Sequence, residues 1–179
     1  MSDAPSVDLA QYVRDIPDFP KPGIVFKDIT PVMASPEALR GAVKGLADYA
    51  GPLDIDVVIA AEARGFLLGA ALALELGAGF VLARKPGKLP RETVRAEYLL
   101  EYGTDALELH TDAVAHGSRV LVHDDLLATG GTAEALCSLA EQLGGEVAGC
   151  AFFIELTFLH GRERLSRYDV HALLRYDEG

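Results

Sequence analysis

The segment Asp56-Val57-Val58-Ile59-Ala60-Ala61 is apolar at every position from 57 to 61 rather than at alternate ones. A strand with one wet face would alternate, so this one has to lie inside a sheet covered on both sides. An apolar helix-length run from Arg64 to Gly77 follows, closed by its glycine, and then a second short apolar strand, Phe80 to Ala83. The alternation returns downstream with Arg119 to His123 as strand, Thr132 to Leu143 as helix and Val147 to Ile154 as strand. In that helix Ala133, Leu136, Leu139, Ala140 and Leu143 share one face, and Gly144-Gly145 stops it. A helix from Pro36 to about Tyr49 and a last strand, Val170 to Leu174, complete the outline. Strand and helix in this order predict an α/β fold with a mostly parallel central sheet flanked by helices. With 179 residues, half of them apolar, one domain spanning 1–179 is expected.

Between the two halves, Thr93 to His110 carries no helical period. Its centre, Glu101-Tyr102-Gly103-Thr104-Asp105, has the residues of a hairpin tip or a mobile loop.

Charge and composition narrow the function. The 27 acidic residues against 16 Lys plus Arg give a net charge of −11, which opposes binding of a long polyanion, so no nucleic-acid partner is expected. The apolar stretches fall short of the roughly 20 residues that cross a bilayer, and the N-terminus lacks a basic patch followed by an apolar core. No membrane partner is expected, and the cytoplasm is the default location. Cys137 and Cys150 each lie in an apolar segment and read as buried thiols.

The most informative run is Val120-Leu121-Val122-His123-Asp124-Asp125-Leu126-Leu127-Ala128-Thr129-Gly130-Gly131-Thr132. A strand delivers two adjacent carboxylates, two glycines let the backbone approach a ligand, and a helix begins. Free N–H groups, the positive end of the helix dipole and the Thr129 and Thr132 hydroxyls can all face one phosphate. Two carboxylates beside such a cradle would repel the anion unless they accept hydroxyl groups of a sugar attached to it, which suits a phosphorylated ribose. Taken singly, Gly130-Gly131 also fits an ordinary strand-to-helix turn, and Asp124-Asp125 an N-cap pair. The run lacks the Gly-Lys-Ser/Thr ending of a Walker loop, and no dinucleotide glycine fingerprint follows the first strand.

Residues 120–132 resemble the motif with which purine phosphoribosyltransferases bind PRPP (5-phosphoribosyl 1-diphosphate). Further segments are similar to the adenine-specific branch of that family: Phe19 to Pro31, Glu62-Ala63-Arg64-Gly65-Phe66, Arg84 to Pro90, Leu100-Glu101-Tyr102-Gly103 and Glu155-Leu156-Thr157. They occur in family order and cover nearly the whole chain from about residue 8. The resemblance implies a type I phosphoribosyltransferase fold with a flexible catalytic loop or hairpin, and a base-binding hood contributed by residues 1–35.

By the same resemblance, Asp124, Asp125, Ala128, Thr129, Gly130, Gly131 and Thr132 would hold the ribose phosphate of PRPP. Glu62, Ala63 and Arg64, in a loop that often carries a non-proline cis peptide, would bind diphosphate together with Arg84, Lys85 and Lys88. The run Arg84, Lys85, Lys88, Arg91, Arg95 could equally be a solvated basic face. Glu101 and Tyr102 would be catalytic, Glu101 managing the proton of the attacking base and Tyr102 positioning the loop. Val25, Phe26, Leu126 and Leu156 would bind adenine, although Phe26 and Leu156 also suit plain core positions. Lys27 and Asp28 would be supporting residues. His123 stands where relatives carry an apolar residue, which leaves room for a small effect on local pKa.

The implied reaction transfers the 5-phosphoribosyl group to adenine, with Mg2+ carried by PRPP and no direct protein ligand to it, in a homodimer. Two alternatives remain at this level: another base as acceptor (hypoxanthine, guanine, xanthine or orotate), or a non-catalytic PRPP sensor. A 6-oxo purine would call for a cation near its oxygen, and the stretch Glu155-Leu156-Thr157 has no lysine.

Overall fold

The computed structural model describes residues 7–99 and 103–178. A short hairpin comes first, β1 (Arg14–Ile16) against β2 (Phe26–Asp28), then α1 (Thr30–Ala34) and α2 (Pro36–Ala50). The first doubly wound unit is β3 (Val57–Ala61), α3 (Gly65–Leu76) and β4 (Gly79–Ala83). An antiparallel arm of β5 (Thr93–Leu99) and β6 (Thr104–His110) precedes the second unit, β7 (Arg119–Leu127), α4 (Gly131–Gln142), β8 (Glu146–Leu156), α5 (Gly161–Arg164) and β9 (Val170–Tyr176).

Among the described residues the main sheet has five parallel strands in the order β4-β3-β7-β8-β9. Alternate residues of its inner strands feed two cores. Ile59, Val122 and Phe152 meet Leu136 and Leu139 of α4 and Leu107 and Leu109 of the arm on one face. Val58, Leu121 and Phe153 meet Leu46 of α2 and Leu68 and Leu72 of α3 on the other. Each of these fully buried large side chains contributes roughly 1.5–3 kcal/mol, so both faces are needed to hold the sheet.

Local signals set the helix ends. Ser35 caps α2 by accepting from the Ala38 N–H at 3.2 Å, Pro36 occupies its first position, and Ala38, Ala42, Leu46 and Ala50 repeat on its buried side. Gly77, at φ +66°, closes α3.

Two strands run further than the apolar pattern indicated. Strand β7 continues past His123 through both acids to Leu127, and β8 continues past Ile154 to Leu156. The ladder between them is the reason: Asp124 pairs with Phe152, Leu126 with Ile154 and Leu127 with Glu155. Pairing with a neighbour on a central strand outweighs the poor intrinsic strand preference of aspartate. Helix α4 likewise starts one residue earlier than expected, at Gly131.

Candidate active site

The chain winds outward from β3 to β4 through α3, then returns to the other side of β3 as β7. The reversal opens a crevice at the C-terminal ends of β3 and β7, the usual place for a ligand in an open parallel sheet. Into it project the loop after β3 (Glu62 to Arg64), the loop after β4 (Arg84 to Lys88), the loop after β7 (Ala128 to Gly130) and the end of β8 at Leu156.

The peptide between Glu62 and Ala63 is cis, as the resemblance implied. The Glu62 carboxylate accepts from the Lys85 backbone N–H at 2.6 Å and lies 3.3 Å from Arg84 Nε. The backbone hydrogen bond, then Arg84, hold its carboxyl below the ordinary value. The Glu62 side chain thus ties the β3 and β4 loops together and orients Arg84. Arg64 reaches across the crevice: its Nε is 3.0 Å from Asp125 Oδ2 and its guanidinium sits 4.8 Å over the Phe26 ring.

Asp124 and Asp125 are both held above the usual carboxylate range by burial. The Asp125 charge raises Asp124 further, whereas Arg64 opposes the rise at Asp125. Asp124 Oδ1 accepts from the Asp125 N–H at 2.9 Å. Asp125 is 4 % exposed, and although Arg64 stands beside its Oδ2, that atom has no aligned hydrogen bond among the described residues. A buried acceptor left in this way costs on the order of 1–3 kcal/mol unless something donates to it, and a sugar hydroxyl would.

Backbone geometry supplies the adjoining cradle. Gly130 lies at φ +85° and serves as the N-cap of α4 without offering a side-chain acceptor, which leaves the first-turn N–H groups to a ligand. A Cβ at Gly130 would come within 2.5 Å of the Gly161 carbonyl oxygen, so no side chain fits there. A cavity of about 60 Å³ is lined by Asp124 and Leu126 to Ala133, including Ala128, Thr129, Gly131 and Thr132. A hollow of about 640 Å³ beyond the N-terminal end of β3 is larger, but Asp48, Asp54, Asp56 and Glu75 line it against a single Lys44 and make it a poor anion site.

The basic run carries less free charge than its sequence suggests. Lys85 Nζ lies 3.0 Å from Asp105 Oδ2, Arg84 pairs with Glu62, Arg91 with Asp112 and Arg95 with Glu97. The Asp105 hydrogen bond raises the Lys85 amine, and the same bond lowers Asp105. Among the described residues Lys88 is the member of the run without an ion pair.

Around the mouth of the crevice, Phe26 is half-buried, with Phe19 edge-on at 5.1 Å, and follows half-buried Val25. Leu126 and Leu156, near the ends of β7 and β8, are partly buried against the core on the α2 and α3 face of the sheet. Lys27 is occupied structurally, with Nζ 2.7 Å from Asp15 and 4.2 Å over the Tyr176 ring, and Asp28 accepts from the Thr30 N–H at 2.9 Å. Glu101 and Tyr102 lie outside the described residues. The β5 strand of the arm rests on the start of α4: a Cβ at Gly131 would be 3.1 Å from the Leu99 carbonyl oxygen and 3.4 Å from the Tyr98 ring.

Sequence reasoning quoted Gly65 within its motif without giving it a role, although a Cβ there would come within 2.7 Å of Asp124 Oδ1, and it passed over Gly161, which packs against the Gly130 loop. Neither residue has a local pattern that announces a partner so distant in the chain. Close packing of backbone on backbone is visible only in three dimensions.

Residues 27–173 match the phosphoribosyl transferase domain family, and the chain belongs to it. Within that family it is similar to the adenine phosphoribosyltransferases of Rubrobacter xylanophilus, 59 % identical over 93 % of this chain and 90 % of the relative, and Thermotoga neapolitana, 55 % identical over 95 % and 100 %. Among solved structures, adenine phosphoribosyltransferase from Thermoanaerobacter pseudethanolicus superposes with a TM-score of 0.92 at 54 % identity, covering 94 % of this chain and 98 % of that one. The Saccharomyces cerevisiae enzyme, solved with adenine and an imino-altritol bisphosphate, gives 0.88 at 40 % identity over 93 % and 96 %.

Proposed function

We propose that the chain is an adenine phosphoribosyltransferase, which transfers the 5-phosphoribosyl group from PRPP to adenine and yields AMP and diphosphate. The observation that carries the reading is the crevice between β3 and β7. There a buried Asp125 carboxylate, with Arg64 beside its Oδ2 but no aligned hydrogen bond to that atom among the described residues, adjoins a helix N-terminus that offers no side chain of its own. That pairing matches a ribose joined to a phosphate.

In this reading Ala128, Thr129, Gly130, Gly131 and Thr132 hold the 5′-phosphate, and Asp124 and Asp125 accept the ribose hydroxyls. The hydroxyls displace Arg64 from Asp125 toward the diphosphate, where it joins Ala63, Lys88 and the Glu62-oriented Arg84 and Lys85 loop. Val25, Phe26, Leu126 and Leu156 enclose the flat base, with residues 1–35 of the one domain as its hood. The base nitrogen forms a bond to C1′ as the bond from C1′ to diphosphate breaks. Positioning and neutralisation supply most of the rate. Glu101 takes up the proton that the base gives away, and Tyr102 sets the loop that closes over it.

The donor set fits an ion that arrives on its substrate. Asp124 accepts from the Asp125 N–H and Asp125 stands beside Arg64, so the two carboxylates would act on a metal carried by PRPP through the sugar hydroxyls they are proposed to accept and not as direct ligands. Mg2+ bound to PRPP would neutralise the diphosphate as it leaves. A homodimer is supported by exposed Leu67 and Leu74, one heptad apart on α3, and by exposed Leu82 on the edge strand β4. Among the described residues no helix is long and apolar enough to cross a membrane, and we place the enzyme in the cytoplasm with its small polar substrates.

The test is diphosphate release from PRPP and Mg2+ with adenine, hypoxanthine, guanine, xanthine and orotate, each with the native chain and with Glu101→Ala. Turnover with adenine, lowered about 10²-fold or more in the variant, is expected. Turnover confined to another base would move the specificity, and PRPP binding without turnover of any base would make the protein a sensor.

A further inference from the structure

Glu155 is 4 % exposed at the end of β8, one residue before Leu156, and its carboxylate is fully claimed. Arg162 Nε reaches Oε1 at 2.9 Å and Nη2 reaches Oε2 at 2.5 Å, with Arg175 Nε 3.3 Å from Oε2. The remaining arm of the Arg162 fork, Nη1, donates to the Val170 carbonyl at 2.6 Å, where β9 begins. Arg162 is therefore fixed at three points, the arrangement for which a planar guanidinium is suited and an ammonium is not.

What this pair immobilises is the turn between β8 and α5. His160, at φ +55°, turns the chain so that Gly161 enters the back of the phosphate cradle. A Cβ at Gly161 would strike the Ala128 carbonyl oxygen and lie 3.0 Å from Gly130 N, so the two backbones are in direct van der Waals contact. One end of this segment is thus Leu156, on the base side of the crevice, and the other is the floor of the Ala128 to Gly130 loop. The Glu155–Arg162 bridge joins the two ends across the intervening turn.

We infer that Arg162 is a positioning residue which sets the distance between the adenine shelf and the 5′-phosphate cradle. The inference rests on the assignment of those two subsites made above. The Arg162 side chain makes its hydrogen bonds within the brace and none to the cradle; it fixes the separation at which a base and a phosphate joined through ribose can be held together. A ligand that spans both subsites gains from that fixed separation in the way any bivalent ligand gains from matched spacing, whereas a fragment that fills one subsite does not. Cradle donors belong to the start of α4 and persist when the brace is loosened.

The experiment is titration calorimetry of AMP, ribose 5-phosphate and adenine against the native chain and Arg162→Lys, with circular dichroism to show that the variant is folded. Lysine keeps the charge opposite Glu155 but cannot keep all three contacts. The expected result is an AMP Kd raised roughly tenfold or more, with the ribose 5-phosphate and adenine constants within about threefold of native, because only the benefit of linkage is lost. Equal weakening of AMP and ribose 5-phosphate, or no change in either, would overturn the inference. If Arg162→Lys does not fold, the neutral pair variant Glu155→Gln with Arg162→Gln takes its place with the same readouts, since it leaves no buried charge unpaired. Failure of both to fold would assign the pair to the core alone and sink the idea. Absence of AMP binding by the native chain would instead refute the subsite assignment itself.

Discussion

Replacing His123 with leucine should remove much of the protein's sensitivity to mild acid while leaving its stability at neutral pH close to native. His123 is fully buried in β7, with Nδ1 2.8 Å from the Ala151 carbonyl oxygen and no partner for Nε2 among the described residues. A carbonyl only accepts, so Nδ1 carries the proton and the ring is neutral. Burial pushes its pKa down to about 4, against 6.5 for an exposed imidazole. Between those values the unfolded chain binds a proton that the folded chain refuses. Stability is therefore fully present above pH 6.5 and falls as the pH drops toward about 4. At about 1.4 kcal/mol per pH unit the loss amounts to roughly 3 kcal/mol across the window, or roughly 6–12 °C in Tm for a chain of this size. Leucine gives up one hydrogen bond but also removes the orphaned Nε2, two effects of about 1 kcal/mol or more that oppose each other. The assay is thermal unfolding of both proteins at pH 7.5 and 4.5, where carboxylates common to the two cancel in the difference. The native chain should lose roughly 5–10 °C more than His123→Leu over that interval. An equal acid shift in both proteins would refute the reasoning and show that His123 is charged or solvated in the fold.

Lys88→Ala removes the cation of the basic run that has no ion pair among the described residues. It should raise the KM for PRPP by about tenfold, the effect of one charged contact, with Tm unchanged; an unchanged KM in steady-state kinetics would show that Lys88 does not meet the diphosphate. Gly65→Ala places a Cβ within 2.7 Å of Asp124 Oδ1 and forces that carboxylate aside. Its kcat/KM for PRPP should fall by about tenfold or more while unfolding shifts by only a few degrees, and native kinetics would mean that Asp124 does not need its position.

The sheet and its two helical layers were legible because continuous apolar strands and helices ended by glycine leave few other ways to bury both faces. Strand ends were not, since Asp124, Asp125, Glu155 and Leu156 are drawn into strands by pairing between β7 and β8 that no local preference reports. The run proposed as the phosphate cradle was legible as a unit because its residues are consecutive in sequence, and at Gly130 the positive φ and the Gly161 backbone leave no room for a side chain. The charge state of the basic run was not. Asp112, which neutralises Arg91, lies just beyond the far strand of the arm, where the hairpin register brings it opposite, and Asp105 meets Lys85 where the loop after β4 bridges to β6 at Arg84 and Glu108. Arg162 and Gly161 sit in a segment that no motif marked, and Glu155 was legible only as part of a motif, because the contacts of all three are made across the fold.

The two halves of the crevice are encoded very differently. In the reading proposed above, sugar and phosphate recognition is compressed into the single run 120–132, where Gly65 packs against Asp124 and Gly161 against Ala128 and Gly130. The proposed base shelf would draw on residues 25–26, 126 and 156, three separate stretches that are each only partly buried. Mutations can therefore sample new shapes for the base at little expense to the common sugar-phosphate handle. A scaffold with that division of labour can diversify its acceptor while keeping its donor, the asymmetry a lineage needs to hand one activated sugar to many partners.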